Sequence, residues 1–418
     1  MINWITAKGQ NTGISFWWNA LGGAISAGQS AILLIFISHR IGITTAGIVT
    51  ISYAVANVFS SIARYGMRNY QVTDHNNKYS FGDYFYNRIL STAITILIAA
   101  AYLIWCSYAN GDTTPKLMIL GEVIVLKLLD SFEDVFLGCY QQMGYFSSGA
   151  KIMAIRLSFS TGLMCILLLI SKNVYISLFA GICISLLIDL YLIGSTFQIT
   201  QSKIGPVDLG HVWKLTKNCL PLCIGTTLSI YIGNVPKYMI DHYMDETIQA
   251  KFGYIMMPVF VVMLFNTFIY QPVIKELGDM WKNDQRLLFY KKIIHQCRLI
   301  AFMTVLVVLV GMTVGLPVLS VIYNVDLNRC RLEFLILLIG GGFYAFAYYL
   351  NVPITTMRMQ RHIAYGYIIA AMFSLLTGRY FVTHYGMLGA SVLYLFINIL
   401  LSAMYFIVLQ IGLKKERN

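Results

Sequence analysis

Apolar residues run through this chain in long blocks separated by short polar connections. A membrane-spanning helix needs about 20 mostly apolar residues. Blocks of that kind lie near residues 14–38, 45–66, 85–108, 116–139, 149–170, 174–196, 213–238, 248–271, 295–323, 332–352, 361–381 and 385–411. The connections between them are short except at 67–84, 198–212 and 272–294. The pattern predicts an all-α polytopic membrane protein with about twelve transmembrane helices and no separate soluble domain. The polar stretch QSKIGPVDLG reads as a linker that divides the spans into two six-helix bundles, 1–205 and 206–418. Paired bundles are a common way to build a transporter around a central cavity. The segment Met1 to Gly13 is short and polar, so the first apolar block reads as a start-transfer helix.

Composition agrees with burial in lipid. Residues are 58% hydrophobic and only 11% charged, too few charges to cover a water-soluble fold of this size. The net charge of +12 would suggest nucleic acid in a soluble protein. Here the basic residues cluster between apolar blocks, so they mark topology and contacts to anionic lipid, and nucleic acid is not expected as a partner. With the N-terminus in the cytoplasm, inner connections carry roughly 20 basic residues and outer ones roughly 8. Both termini and all three longer connections are therefore expected on the cytoplasmic side of an inner, cytoplasmic membrane. The 272–294 connection mixes Trp281, Leu287, Leu288 and Phe289 with charges. It suits either a helix lying on the inner leaflet or an extension of the neighbouring spans. The eight cysteines are scattered without zinc spacing, so no metal site and no cofactor is expected.

Charges inside spans cost about 2.5–3.5 kcal/mol on insertion scales and usually face a cavity or a partner. The fourth span, EVIVLKLLDSFEDVFLGCYQQ, carries Glu122, Lys127, Asp130, Glu133 and Asp134. At about 100° per residue these fall within an arc of roughly 140°. One reading makes the carboxylates a site for a coupling cation, H+ or Na+, with Lys127 as internal counter-ion. The other makes them a structural network in which Lys127 pairs with Asp130 or Asp134 and the rest meet Arg156 or Arg88 on neighbouring spans. Asp189 in the sixth span and Lys237 in the seventh are further groups at membrane depth. Asn19, Gln29 and Asn218 are candidates for hydrogen bonds between helices. Pro221 removes a backbone hydrogen bond in the seventh span and is a candidate gating kink.

Several local patterns resemble one family. They are RNYQVTD at 68–74, DSFEDVFLGCYQQ at 130–142, NVPKYMID at 234–241, KFGYIMMPVFVV opening the eighth span, and NTFIYQPVIKELGDMW at 266–281. Together they resemble the polysaccharide transporter branch, including the Wzx-type O-antigen flippases, of the multidrug/oligosaccharidyl-lipid/polysaccharide (MOP) superfamily. The resemblance implies two six-helix lobes forming a V around a cavity. It implies alternating access that moves an undecaprenyl-pyrophosphate-linked oligosaccharide from the inner to the outer leaflet, coupled to a cation gradient. It also implies partners among polysaccharide polymerase or assembly proteins. Pyrophosphate is a dense anion that Arg and Lys can pair. Arg64, Arg68 and Lys217 at inner span ends, and Lys127, Arg156 and Lys237 at greater depth, are the candidates for it. Positive-inside anchoring is the plainer reading of the first three.

Two rivals remain from the sequence. A multidrug or organic-cation exporter of the same superfamily would favour an acidic, aromatic cavity. A membrane enzyme such as a polysaccharide polymerase would need a catalytic loop on the outer face. The outer connections are short and carry no clustered set beyond Asp241, Asp245 and Glu246 with His242 beside them, so a non-enzymatic secondary transporter is expected.

Overall fold

The computed structural model describes residues 2–6, 12–74, 78–145, 147–199, 207–270 and 273–415. Helices dominate, and no strand occurs among the described residues. In chain order they are α1 (Ile2–Ile5), α2 (Thr12–Arg40), α3 (Ile43–Arg64), α4 (Met67–Thr73), α5 (Phe81–Trp105), α6 (Thr114–Gln142), α7 (Ser148–Ser171) and α8 (Val174–Ile199). They continue with α9 (Leu209–Tyr243), α10 (Glu246–Tyr270), α11 (Val273–Lys282), α12 (Arg286–Val310), α13 (Leu316–Tyr323), α14 (Arg331–Thr356) and α15 (Gln360–Lys415). Among the described residues, nine helical segments are long and apolar enough to cross a membrane. The last of these is two spans joined at a kink, because Gly386 adopts φ 58, ψ −135 inside α15. Only glycine enters that backbone region without a steric penalty. The kink matches the break expected between 381 and 385.

Local sequence accounts for the helix ends. Ser80 and Asp83 form a reciprocal capping box at the start of α5: Asp83 N donates to Ser80 Oγ and Ser80 N donates to Asp83 Oδ2. Pro115 sits in the first turn of α6, where its missing N–H is harmless. The 272–294 connection is an extension of the next span in its second part and a separate helix in its first. α11 is a separate short helix with a polar and an apolar side, and from Arg286 onward the chain already belongs to the next span.

The chain forms two compact units, Met1–Ile230 and Tyr231–Asn418. The change of unit falls inside α9. Of the linker expected at 201–210, residues up to 206, with Lys203 and the 205/206 division, lie outside the described residues, while its last two residues open α9; Arg417 also lies outside them.

In the first unit α3 lies along α6, α2 along α7, and α7 along α8. Ala46, Gly47, Ala56 and Ser60 are buried on α3, small residues of the kind that let membrane helices approach closely. The N-terminal helix α1 is tied to the start of α7, although its sequence reads only as a short polar lead. Ser148 Oγ donates to Ile5 O at 2.6 Å and Lys151 Nζ to Trp4 O at 2.8 Å. In the second unit α14 is the hub, packed against α15, α10 and α12. Its Gly340, Gly341 and Gly342 make this possible. A Cβ on each would meet Tyr394 of α15, Val259 of α10 and Thr304 of α12 respectively, all closer than real Cβ contacts allow.

Candidate functional site

The charged face of α6 points into the first unit, where it meets α2, α3, α5, α7 and α8. Lys127 Nζ donates to Asp130 Oδ2 at 2.9 Å, one helical turn along the same face. It also donates to Gln29 Oε1 on α2 at 3.2 Å, and Gln29 Nε2 continues to Thr161 Oγ1 on α7. The Lys127 ammonium lies 5.4 Å from the centroid of the Tyr53 ring, within cation–π range.

Arg156 on α7 is the centre of the cluster. Its Nη2 is 2.7 Å from both Asp130 Oδ1 and Glu133 Oε2, and its Nε is 3.1 Å from Glu133 Oε2. Asp189 Oδ1 on α8 comes within 3.4 Å of Arg156 Nε, an ion-pair distance without hydrogen-bond geometry. All five groups are buried. Three carboxylates (Asp130, Glu133, Asp189) face two cations (Lys127, Arg156), a local surplus of one negative charge set beside the opposite surplus of Arg68 and Arg88 over Asp134. Three polar atoms here have no hydrogen-bond partner among the described residues: Glu133 Oε1, Arg156 Nη1 and Asp189 Oδ1. A buried polar atom left unsatisfied costs about 1–3 kcal/mol, so such atoms mark a place for water, a proton or an ion.

A second cluster lies toward the C-terminal end of α6 on the same face. Asp134 accepts from Arg88 Nη2 and from Arg68 Nη1, each at 3.2 Å. Arg88 is fully buried, and its Nη1 also caps Ala63 O at 2.7 Å. Arg68 Nη2 reaches Gln141 Oε1 at 3.3 Å, and Gln142 Nε2 donates to Asp74 O at 3.1 Å. The segments RNYQVTD and DSFEDVFLGCYQQ, remote in sequence, thus form one joined structure.

Arg64 is exposed at the end of α3, yet its charge acts on Asp134, Asp130 and Arg88 of these clusters. The other sequence candidates stand apart. Lys217 is exposed on α9 and lies over the Trp213 ring. Glu122 is half-buried with Oε2 unsatisfied, one to two turns from Lys127. Lys237 is buried in the second unit. α9 runs through Pro221 as a continuous helix, and the proline itself is exposed. The pairing partners Arg88, Arg156 and Gln29 were legible as polar groups in spans. Tyr53, Thr161, Ser60 and Ser131 were not. Ser60 and Ser131 Oγ atoms lie 2.8 Å apart between α3 and α6, but neutral hydroxyls in apolar spans are too common to single out.

A further set of contacts joins α9 and the residue before it to α4, the start of α5 and the connection between them; of these residues the sequence singled out only Asn218 as a hydrogen-bonding candidate. Asn87 Nδ2 donates to Thr216 Oγ1 at 2.6 Å, and Asp208 N donates to Asp83 Oδ1 at 3.0 Å. Asn218 donates to the hydroxyls of Tyr70 and Tyr79 at 3.4 and 3.3 Å.

The amino-acid sequence matches no protein-family model and no curated protein. Solved structures do match over nearly the whole chain. An inward-facing multidrug resistance MATE family transporter of the MOP superfamily superposes with a TM-score of 0.71 at 11% identity, covering 93% of this chain and 96% of that one. The Vibrio cholerae MATE transporter VcmN in its bent form gives 0.63 at 12% identity, covering 96% of both chains. A MOP superfamily transporter from Pyrococcus furiosus, described as having a binding pocket of reversed polarity, gives 0.59 at 12% identity, covering 98% of this chain and 96% of that one. At such identities the likeness speaks for architecture alone: this all-helical membrane chain has the fold of the MOP superfamily transporters.

Proposed function

We propose that the chain is a cation-coupled flippase. It carries undecaprenyl-pyrophosphate-linked oligosaccharide from the inner to the outer leaflet of the cytoplasmic membrane by alternating access between its two helical lobes, for cell-surface polysaccharide synthesis. The observation that carries the coupling is the cluster around Arg156, with one carboxylate in excess and unsatisfied atoms on Glu133, Arg156 and Asp189. A proton or Na+ bound there neutralises the surplus charge. Neutralising Glu133 or Asp189 in turn loosens their hold on the guanidinium. Arg156, which already has Nη1 unsatisfied, then has capacity for an anionic oxygen. Cation binding and pyrophosphate binding are thereby linked through one side chain. Lys127 has a parallel choice between Asp130 and an incoming anion. The substrate class rests on the likeness of five local motifs to the polysaccharide transporter branch.

A second reading is export of drugs or organic cations. It is favoured by the similar solved structures described as multidrug transporters and by the excess of carboxylate over cation in the cluster. The two readings separate in one experiment. The full chain is reconstituted in liposomes, and leaflet transfer of a labelled undecaprenyl-pyrophosphate oligosaccharide is followed with and without proton and sodium gradients, beside efflux of organic cations. Gradient-dependent transfer that is lost in folded Asp130→Asn or Lys127→Met supports the flippase. No transfer of several lipid-linked sugars, together with cation efflux, overturns it in favour of the exporter.

A further inference from the structure

The second unit contains a cavity of about 620 Å³ away from every group considered so far. It lies where the α14–α15 connection meets the end of α11 and the last turns of α15. Its lining combines the polar side chains of Arg358, Arg361 and His362 with Trp281 and with the buried or half-buried Met357 and Met359 beside Gly412, a group called its floor below. No carboxylate lines it among the described residues. The size falls within the range of about 300–1,000 Å³ common to small-molecule sites.

Each side is built rather than incidental. Trp281 is held as a platform: the Arg286 guanidinium lies 3.4 Å from its ring centroid, Arg286 Nη1 donates to Trp281 O at 3.2 Å, and Phe289 packs at 5.0 Å. The floor depends on Gly412, because a Cβ there would stand 2.8 Å from the sulfur atoms of both Met357 and Met359.

The backbone at Arg358 is the most telling feature. α14 ends in a Schellman arrangement, with Met359 N bonded to Ile354 O and Arg358 N to Thr355 O. Arg358 occupies its left-handed position at φ 58. Glycine is the ordinary residue there, and a side-chain-bearing residue is strained. The chain accepts that strain and gains a guanidinium in the lining of the cavity. Tyr65, Lys172 and Asn324 take the same conformation at other helix ends; what sets Arg358 apart is that its turn lines the cavity.

The basic lining and the floor together fit an amphiphile whose charged end is a phosphate ester. Leu287 and Leu288 at the start of α12 and Tyr365 at the start of the first half of α15 are exposed apolar residues, of the kind that suit a lipid boundary. By the distribution of Lys and Arg this boundary is the cytoplasmic one. From this we infer that the cavity is a binding site for the headgroup of an anionic glycerophospholipid of the inner leaflet, with Arg358 and Arg361 on the phosphate and the methionine floor against the glycerol and first acyl carbons. The site is independent of which substrate the protein transports.

The test uses the full chain in detergent, titrated with phosphatidylglycerol or phosphatidylcholine and followed by native mass spectrometry. Phosphatidylglycerol is expected to bind tighter than phosphatidylcholine. Each Arg near an anionic lipid surface contributes about 1 kcal/mol, or about fivefold in affinity. Arg358→Gly is therefore expected to weaken phosphatidylglycerol binding about fivefold while leaving lipid-free thermal stability unchanged or raised, since it relieves the left-handed strain. Arg361→Gln is expected to weaken it by a similar factor. Gly412→Leu keeps every charge but fills the floor, and is expected to abolish preferential binding. The inference is overturned if Arg358→Gly and Arg361→Gln leave the affinity unchanged. It is overturned equally if Gly412→Leu binds as the parent does, which would reduce the effect to diffuse surface charge. Competition by inorganic phosphate at equal concentration would also overturn it, because the site would then take a free anion.

Discussion

Replacing Arg156 with leucine removes the one group that three buried carboxylates share. In the native protein its guanidinium is 2.7 Å from Asp130 and Glu133 and 3.4 Å from Asp189. Asp130 retains Lys127 at 2.9 Å after the substitution, so the uncompensated charge falls on Glu133 and Asp189. Breaking a buried pair by removing one partner costs about 3–5 kcal/mol. Arg156→Leu is expected to lose that much, with full expression of the loss at neutral pH and relief in acid, where the stranded carboxylates take up protons. Adding Glu133→Gln removes one stranded charge and is expected to return part of the loss. Residues coupled in one network show interaction energies of about 0.5–3 kcal/mol, and a value in the upper half of that range is expected here. Equilibrium unfolding in mixed micelles, followed by the intrinsic fluorescence of the six tryptophans, measures all four corners of the cycle. A loss below about 1 kcal/mol for Arg156→Leu, which is the scale of an exposed ion pair, would refute the reasoning. So would strict additivity of the two substitutions.

Three further outcomes follow from the geometry. Asp134→Asn removes the carboxylate charge opposite the fully buried Arg88, leaving its guanidinium only neutral oxygens at Ala63 and position 134; it is expected to destabilise the first unit by about 3–5 kcal/mol, read as a lowered midpoint in the same unfolding assay. Gly341→Leu drives a side chain into Val259 at the α14–α10 contact. Overpacking of that kind costs about 1–3 kcal/mol, and a fall in thermal stability by size-exclusion chromatography after heating checks it, with Gly233→Ala, where the nearest atom is 3.9 Å away, as the tolerated control. Asn87→Ala removes the 2.6 Å bond to Thr216. A net hydrogen bond is worth about 0.5–1.5 kcal/mol, so the fold is expected to persist while an Asn87→Cys/Thr216→Cys pair cross-links readily, and absence of the cross-link would refute the contact.

The sequence by itself determined that the chain is a series of apolar helices and the approximate limits of most of them. Lipid leaves a chain no other option than to close every backbone hydrogen bond within each apolar block, so the length of a block is the length of its helix. It also determined that α6 has one charged face, because helical rotation fixes which residues share a side. Arg88, Arg156 and Gln29 were legible as partners for the same reason: a polar group in an apolar span has few places to go.

What the sequence left open was which charges meet. Lys127 had Asp130 and Asp134 within reach on its own helix and took Asp130, because Asp134 is held by Arg88 and Arg68 from α5 and α4. Glu122, on the same charged face, joins neither cluster, since helical phase fixes a side but not the depth at which a neighbour's cation stands. The joining of RNYQVTD to the end of α6, and of Asn87 to Thr216, depends on pairs more than 60 residues apart and so on how helices pack. The same holds for the cavity beneath Arg358. Its basic residues read as ordinary topology signals along the chain, and only the left-handed turn at φ 58 and the packing of Trp281 and Gly412 around it gather them at one place. Periodicity is a property of a single helix and is written in its sequence. Neighbours are chosen by the whole assembly, through shape and charge that no single segment contains.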